Sequence, residues 1–107
     1  MAAAQGFELV YDSQVKAHLK AIERKYHLLI KRTIEKLLTH APAVESRNRK
    51  PLLRPAFLDA TWELRFGPDN RFRVFYKIGD EIQEVYILAI GVKIRERLLI
   101  GKEVIQI

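Results

Sequence analysis

The sequence predicts an α+β domain in which helices cover one face of an antiparallel β-sheet. Three observations indicate this fold class. Apolar residues recur with helical spacing over residues 15–41, two alternating runs flank a turn at residues 67–70, and a continuous apolar run occupies residues 85–90. Because each alternating run has one apolar side, the helices are expected to cover the face that carries Trp62, Leu64 and Val74.

The N-terminal half is predicted to contain one short strand and a helical region. Residues 7–11 are rich in aromatic and apolar side chains, and the Asp-Ser pair that follows favours the start of a helix. The helical spacing then continues until Pro42. Since no Gly or Pro interrupts residues 12–41, the sequence allows one helix of about 40 Å or two helices folded back on each other. The size of the domain favours two, with the break near residues 25–27.

Residues 61–76, TWELRFGPDNRFRVFY, predict a β-hairpin with one apolar and one cationic face. The turn is placed at residues 67–70, because Pro fixes φ while Gly and Asn tolerate positive φ. The period of a strand places four charged residues on the second face, namely Glu63, Arg65, Arg71 and Arg73. A sheet face with three guanidinium groups suits a phosphate backbone. The alternative is a solvated face with ordinary surface ion pairs.

The rest of the chain completes the sheet. Residues 43–60 are irregular and basic, and are expected to form a loop with a short strand or 3₁₀ turn. A two-residue hairpin turn is predicted at residues 79–80, before a central strand at residues 85–90 that is covered on both faces. The amphipathic stretch 91–100 predicts a short helix or an extension of this strand, and residues 103–107 predict an edge strand.

Composition indicates a single soluble domain spanning residues 1–107. Hydrophobic residues make up 49% of the chain and charged residues 30%, which is typical of a globular protein. The absence of Cys excludes disulfides, thiolate metal sites and cysteine nucleophiles. The N-terminus lacks the features of a signal peptide and no run of 18 apolar residues occurs, so we expect a cytoplasmic protein that does not span a membrane.

The positive charge is concentrated in one segment. The net charge is +6 and the pI about 9.8, which favours polyanionic partners. Residues 47–77 contain eight basic and three acidic residues and so carry +5 of that total. The candidates for nucleic-acid binding therefore lie in the irregular loop and on the hairpin, and they are Arg47, Arg49, Lys50, Arg54, Arg71 and Phe75.

The aromatic residues divide between core and surface. The alternation of the hairpin places Trp62, Phe66, Phe72 and Tyr76 on its apolar side, where they are expected to form the core. Phe75 has the opposite orientation. It is the one aromatic residue on the arginine face, which makes it the candidate for stacking on a base.

The order of strand, helical pair, basic loop and meander resembles the RelE/ParE superfamily of bacterial toxins from type II toxin–antitoxin systems. The resemblance covers nearly the whole chain. Its most specific parts are Leu64-Arg65, the run of residues 73–76 that is similar to the "YR(V/L)(V/F)Y" strand of the family, and residues 89–91 followed by a basic residue. The resemblance implies a sheet of about four antiparallel strands with a helical pair on one face, and a cognate antitoxin as partner.

The resemblance also implies an activity and its residues. The RelE branch cleaves messenger RNA in the ribosomal A site, whereas ParE-branch relatives inhibit DNA gyrase. The phosphate-stabilising arginine of the family corresponds to Arg65, the basic residue after the Ile-Gly pair to Lys93, and the arginine of the second meander strand to Arg73. RelE-like nucleases often carry a Tyr or His near the end of the chain for proton transfer, but residues 98–100 are Leu, Leu and Ile.

Cleavage of RNA without a metal requires a base, cations at the phosphate and an acid for the leaving oxygen. Glu63 is the carboxylate nearest to Arg65 and is the candidate base, and the alternative is a structural Arg–Glu pair. The three histidines lie in the helical region and are expected to be ordinary surface or core-margin residues. No Gly-rich phosphate loop and no metal-ligand spacing occurs, so we expect neither a metal nor a small-molecule cofactor.

The leading hypothesis is therefore a ribosome-dependent messenger RNA endonuclease that inhibits translation. The alternatives are an inhibitor of DNA gyrase and a catalytically weak module that only binds its antitoxin. A nuclease needs the cations to cluster in a concave site, whereas an inhibitor needs only a protein-binding surface.

Overall fold

A computed structural model describes residues 6–54 and 59–105 and confirms the α+β class. One strand is followed by the two helices, and the second half of the described chain is almost entirely β-structure. The strands are β1 (Glu8–Tyr11), β2 (Arg49–Pro51), β3 (Trp62–Phe66), β4 (Phe72–Gly79), β5 (Glu84–Ile94), β6 (Arg97–Ile100) and β7 (Glu103–Ile105), and the helices are α1 (Val15–Lys20) and α2 (His27–Leu38). None of the described helices is long and apolar enough to cross a bilayer.

The sheet is larger than the four strands implied by the resemblance. Its order is β2-β3-β4-β5-β6-β7, and β1 pairs in parallel with the first half of β5 while β6 pairs antiparallel with the second half of the same strand. The three strands beyond four, β2, β6 and β7, are only three or four residues long. β2 and β7 lie where the sequence predicted a short strand and an edge strand, whereas β6 lies in the stretch expected to be a helix or an extension.

The helical region consists of two helices, as the size of the domain suggested. α1 ends at Lys20, a 3₁₀ turn spans Arg24–Tyr26, and α2 begins at His27, so the break lies close to its predicted position. The buried residues of α2 recur every four positions. They pack against the apolar face of β3 and β4, where Leu64 and Val74 are fully buried.

The apolar face of the hairpin also confirms its predicted register. Leu64 pairs with Val74, and Trp62 pairs with Tyr76 and stacks on it at 6.1 Å between ring centroids. Trp62 is only half-buried, whereas Tyr76 is fully buried and its hydroxyl donates a hydrogen bond to the carbonyl of Pro42. Burial raises the pKa of Tyr76.

A second apolar cluster lies on the other face of the sheet. It contains Phe75, Leu88, Ala89, Leu98 and Ile100. The pairing of β4 with β5 shifts here. Phe75 pairs with Ala89 and the next residue, Tyr76, pairs with Ile87, so Leu88 forms a bulge in β5. β5 is therefore covered on both faces, as its continuous apolar sequence predicted.

The predicted helix at residues 91–100 is wrong. β5 extends to Ile94, the chain turns through Arg95 with φ of 58°, and β6 returns along β5 with Gly91 opposite Ile100. Leu98 and Ile100 are buried and Leu99 between them is less so, which is the alternation of a strand. The alternative expectation, an extension of the strand, is confirmed.

The turns follow the sequence less closely than the strands. Gly67 has φ of 83° and precedes the 3₁₀ turn Pro68–Asn70, so the turn at residues 67–70 is confirmed. The two-residue turn at residues 79–80 is wrong, because Gly79 is still paired with Glu84 and four residues connect the strands. The irregular loop contains the expected short strand, β2, and the expected edge strand is β7, with residues 106–107 outside the described part of the chain.

Candidate nucleic-acid interface

Three charged residues of the hairpin form one network on the second face of the sheet. Arg65 lies directly opposite Arg73 on the neighbouring strand, an arrangement in which like charges repel. Glu63 offsets this repulsion, because its Oε1 accepts a hydrogen bond from Arg65 Nε at 2.9 Å and its Oε2 accepts one from Arg73 Nη1 at 3.3 Å. The predicted charged face therefore exists, and Glu63 connects two of its three arginines.

The members of this network differ in exposure. The side chains of Glu63 and Arg73 are 8% and 10% exposed, whereas that of Arg65 is 38% exposed. Arg73 is held further by a hydrogen bond from its Nε to the carbonyl of Asn70. Both carboxylate oxygens of Glu63 already accept hydrogen bonds from guanidinium groups. This geometry favours the structural Arg–Glu pair over a base that takes a proton from a substrate.

A concave site with four cations lies at the end of the β4–β5 ladder. This cationic cleft has a volume of about 520 Å³ and is lined by Asp69, Arg71, Arg73, Lys93, Ile94 and Arg95. Its two strands are joined at this point, since the amide of Lys93 donates a hydrogen bond to the carbonyl of Arg71 at 2.7 Å. The structure thus brings together three of the predicted site residues, Arg71, Arg73 and Lys93. Arg65 lies on the same face, across from Arg73, without lining the cleft.

Two residues of this region were missed by sequence reasoning. Arg95 lines the cleft from the β5–β6 turn, and its position could have been found only by recognising that residues 91–100 form a hairpin. Asn48 holds the backbone of Arg65 by two hydrogen bonds of 2.8 Å. The backbone carbonyl of Asn48 accepts one from the Arg65 amide, and its Nδ2 donates the other to the Arg65 carbonyl. Nothing in the sequence distinguishes Asn48 from the rest of the basic loop.

The basic residues of the loop do not join the cleft. Arg47 and Arg54 are exposed, and Lys50 lies opposite Glu63, on the charged side of the sheet. Arg49 lies opposite Leu64 and so faces the other side, where its Nε donates a hydrogen bond to the carbonyl of Val44. Of these four predicted RNA contacts, only Lys50 is shown by the strand register to share the face of Arg65 and Arg73.

Phe75 cannot stack on a base as predicted. It lies on the face that the alternation indicated, opposite Glu63, but it is only 5% exposed. Leu98 and Ile100 belong to the same apolar cluster and cover this part of the sheet. The prediction failed because it treated the charged face as open along its whole length and did not include the β5–β6 hairpin.

The histidines lie away from the cleft, as expected. His18 is buried between α1 and the sheet, and its Nδ1 accepts a hydrogen bond from the amide of Ile90 at 3.3 Å. Ile90 lies at the part of β5 between the segments that pair with β1 and β6, so the imidazole serves a backbone group that neither strand reaches. Burial lowers the pKa of His18. His27 pairs through Nε2 with the carbonyl of Ile22 at 2.8 Å.

A larger apolar groove lies on the helix side of the molecule. It has a volume of about 750 Å³ and runs between α1 and α2. Leu28 is 56% exposed at this groove, and three cations line it, namely Lys16, Arg24 and Lys31. Among the residues that the structure describes, no three His, Asp or Glu side chains come together as a metal site.

Sequence comparison assigns the family. The model of the ParE toxin of the type II toxin–antitoxin system parDE matches residues 9–95, and the chain belongs to this family of toxins. A search of the curated proteins finds no match to this sequence.

Solved structures of related toxins share the fold. A chain of the toxin–antitoxin complex RelBE2 from Mycobacterium tuberculosis superposes with a TM-score of 0.67 and 23% identity, over 82% of this chain and 99% of that chain. The isolated RelE toxin of E. coli superposes with a TM-score of 0.62 and 18% identity, over 83% of this chain and 86% of that chain. The protein is therefore a toxin of the RelE/ParE superfamily from a type II toxin–antitoxin system.

Proposed function

We propose that this toxin cleaves messenger RNA on the ribosome without a metal ion, and that the scissile phosphate binds in the cationic cleft. The cleft itself carries the proposal, because it gathers four cations and one carboxylate in a concave site. A nuclease requires cations that cluster in a concave site, whereas a protein-binding surface has no such requirement. The proposed partners are the ribosome with its messenger RNA and a cognate antitoxin, and the proposed location is the cytoplasm.

The cations have a defined task in this mechanism. Attack of the 2′-hydroxyl on the phosphate builds negative charge on the phosphoryl oxygens, and fixed cations stabilise that charge most where they are already in position. Arg73 is held by Glu63 and Asn70, so it is fixed before a substrate binds. Lys93 lines the cleft from the neighbouring strand β5, and Arg95 lines it from the turn that follows β5. Arg65 is the most exposed member of the network and is placed to contact the RNA backbone beside the cleft.

Inhibition of DNA gyrase is the second candidate, and one observation favours it. Among the described residues that line the cleft, Asp69 is the only side chain besides the cations that could exchange a proton, and it is 92% exposed. Glu63 is engaged by both arginines. A toxin that binds without cleaving needs no proton-transfer group, and this also applies to a module that only binds its antitoxin.

Primer extension on cellular messages after induced expression separates these functions. A ribosome-dependent nuclease should produce breaks at fixed positions within codons of translated messages, whereas a gyrase inhibitor should leave messages intact and reduce plasmid supercoiling. Lys93→Ala should remove the breaks. Lys36→Ala, at an exposed position on α2, is the matched control and should retain them. Intact messages at toxic expression levels would exclude the nuclease.

A further inference from the structure

A second, smaller pocket adjoins the cationic cleft at the same end of the sheet. It has a volume of about 230 Å³ and lies between the end of α1, the 3₁₀ turn after it and strands β5 and β6. We call it the end pocket, and its walls include Ala21, Glu23, Tyr26, Phe72, Val92 and Leu99. Arg71 and Ile94 line both this pocket and the cationic cleft. The two cavities are therefore neighbours across the rim of the sheet.

The walls of the end pocket are mainly apolar, and its charged or titratable side chains are His18, Glu23, Tyr26, Arg71 and Lys102. Val92 and Leu99 supply aliphatic surface, and the partly exposed Tyr26 supplies an aromatic ring, which packs on the buried Phe72 with 5.1 Å between ring centroids. Glu23 offers a carboxylate that accepts hydrogen bonds, and Arg71 offers a guanidinium that donates them. A flat apolar group with donors and acceptors on its edge matches this lining.

The size of the pocket restricts its ligand. Sites for drug-sized molecules measure about 300–1,000 Å³, so a pocket of 230 Å³ holds something smaller. A single nucleobase has this size and this combination of an apolar face with a polar edge. Because Arg73, Lys93 and Arg95 line the cationic cleft on the far side of Arg71 and Ile94, a phosphate joined to that base by a ribose would reach this cleft.

We propose that the end pocket is a nucleobase-binding subsite, and that one nucleotide of the substrate places its base there and its phosphate in the cationic cleft. The proposal rests on the phosphate site of the proposed function and adds where the adjoining base is held. It also assigns base contact to the helix side of the rim, around Tyr26, since Phe75 on the opposite face is covered. The wall residues of the end pocket then determine which bases are accepted beside the phosphate.

Titration calorimetry of the purified full chain tests this subsite with three probes: adenosine 5′-monophosphate, uridine 5′-monophosphate and ribose 5-phosphate. Ribose 5-phosphate carries the phosphate without a base. Contact of a base with an aromatic side chain is expected to make each nucleotide bind about tenfold more tightly than ribose 5-phosphate. This comparison uses the unmodified protein and so does not depend on the folding of a variant.

A matched pair of substitutions locates the base. Ala21→Leu extends a side chain into the end pocket and should remove the tenfold advantage of the nucleotides, leaving ribose 5-phosphate binding unchanged. Ala17→Leu adds the same side chain one turn earlier, at an exposed position outside both cavities, and should keep the advantage. Lys93→Ala should weaken all three probes equally.

The outcomes distinguish the base subsite from the phosphate site. Equal affinity for ribose 5-phosphate and the nucleotides overturns the base subsite and leaves the phosphate site standing. A nucleotide advantage that survives Ala21→Leu also overturns it, since the base would then lie elsewhere. If none of the three probes binds, the phosphate site of the proposed function fails and the base subsite fails with it.

Discussion

At the scale of single residues, the Glu63 network separates two arginines that the sequence presents as equivalent. Arg65→Ala removes a partly exposed ion pair and should change the free energy of unfolding by about 0–1 kcal/mol. Arg73→Ala removes a buried partner of Glu63. It should cost about 2–3 kcal/mol, less than the ~3–5 kcal/mol of a fully unpaired buried charge, because Arg65 still accompanies the carboxylate.

Urea denaturation of the two variants measures this difference, and growth inhibition at equal expression measures function. Arg65→Ala is expected to abolish growth inhibition in a protein that remains folded, whereas Arg73→Ala loses activity together with stability. Equal unfolding costs for the two variants would contradict the burial difference. Full toxicity of Arg65→Ala would show that Arg65 does not contact the substrate.

His18 makes stability depend on pH in a predictable direction. Burial lowers its pKa in the folded state, against the smaller opposing effect of Asp12. The unfolded chain therefore binds the proton first as the pH falls below about 6.5. The contribution of neutral His18 is complete above that pH and is lost as the pH falls through the window between the unfolded pKa and the lower folded pKa.

Chemical denaturation between pH 5 and pH 8 tests this expectation. His18→Asn keeps a side-chain acceptor for the Ile90 amide but cannot be protonated, so the loss of stability toward pH 5 should be smaller than in the parent protein. His40→Asn changes an exposed histidine and should leave the profile of the parent unchanged. If both variants show the parent profile, His18 is not the titrating group.

At the scale of secondary-structure elements, Gly91 distinguishes the observed hairpin from the helix that the sequence suggested. A Cβ atom at Gly91 would lie 2.9 Å from the carbonyl oxygen of Leu99 and 3.0 Å from side-chain atoms of Leu98 and Ile100. Gly91→Ala should therefore destabilise the protein by about 1–3 kcal/mol, as overpacking does. In a helix the same substitution would be stabilising by up to about 1 kcal/mol. The sign of the change in thermal unfolding decides between the two.

The elements predicted well from sequence are those whose pattern is long and unambiguous. The hairpin was identified from five-residue alternation on both sides of a Gly-Pro turn, and β5 from its continuous apolar run. Residues 91–100 carry a pattern that satisfies a helical and a strand period equally. Only their pairing with β5 selects the strand, and that pairing depends on contacts distant in sequence.

The site was predictable to a similar extent. Arg73 and Lys93 were assigned by resemblance and Arg71 by its place on the hairpin, and the fold brings all three to one cleft. Arg95 and the burial of Phe75 could not be predicted, because both depend on the β5–β6 hairpin. One misassigned element therefore accounts for the missed cation and for the wrong aromatic contact.

At the scale of the whole molecule, the cationic cleft and the apolar groove are separate surfaces, and three cations also line the groove. The cationic cleft lies at the end of the β4–β5 ladder, while the apolar groove lies between the helices with Leu28 exposed. If the cleft is the substrate site, as we propose, an antitoxin that silences the toxin by covering it must bring acidic groups there. One that binds only the groove would act without masking this charge.

We expect the antitoxin to cover the cleft with an acidic segment, because the cleft gathers four cations against one carboxylate in a chain with a net charge of +6. Long-range attraction between opposite charges accelerates association, and salt screens it. The association rate measured by stopped flow should therefore fall steeply between ionic strengths of about 0.01 M and about 1 M, over which the Debye length shortens from ~30 Å to ~3 Å.

Two charge reversals of equal size show where the segment binds. Arg95→Glu reverses a charge in the cleft, and Arg32→Glu reverses an exposed charge on α2 that lines neither the cleft nor the groove. Since both substitutions change the net charge equally, the weaker long-range attraction should slow association of both variants with the antitoxin alike. If the acidic segment covers the cleft directly, the Arg95→Glu complex should also dissociate much faster. Two results would place the antitoxin in the groove and exclude charge masking as its mechanism. One is an association rate that does not change with salt, and the other is a complex weakened by Leu28→Asp but not by Arg95→Glu.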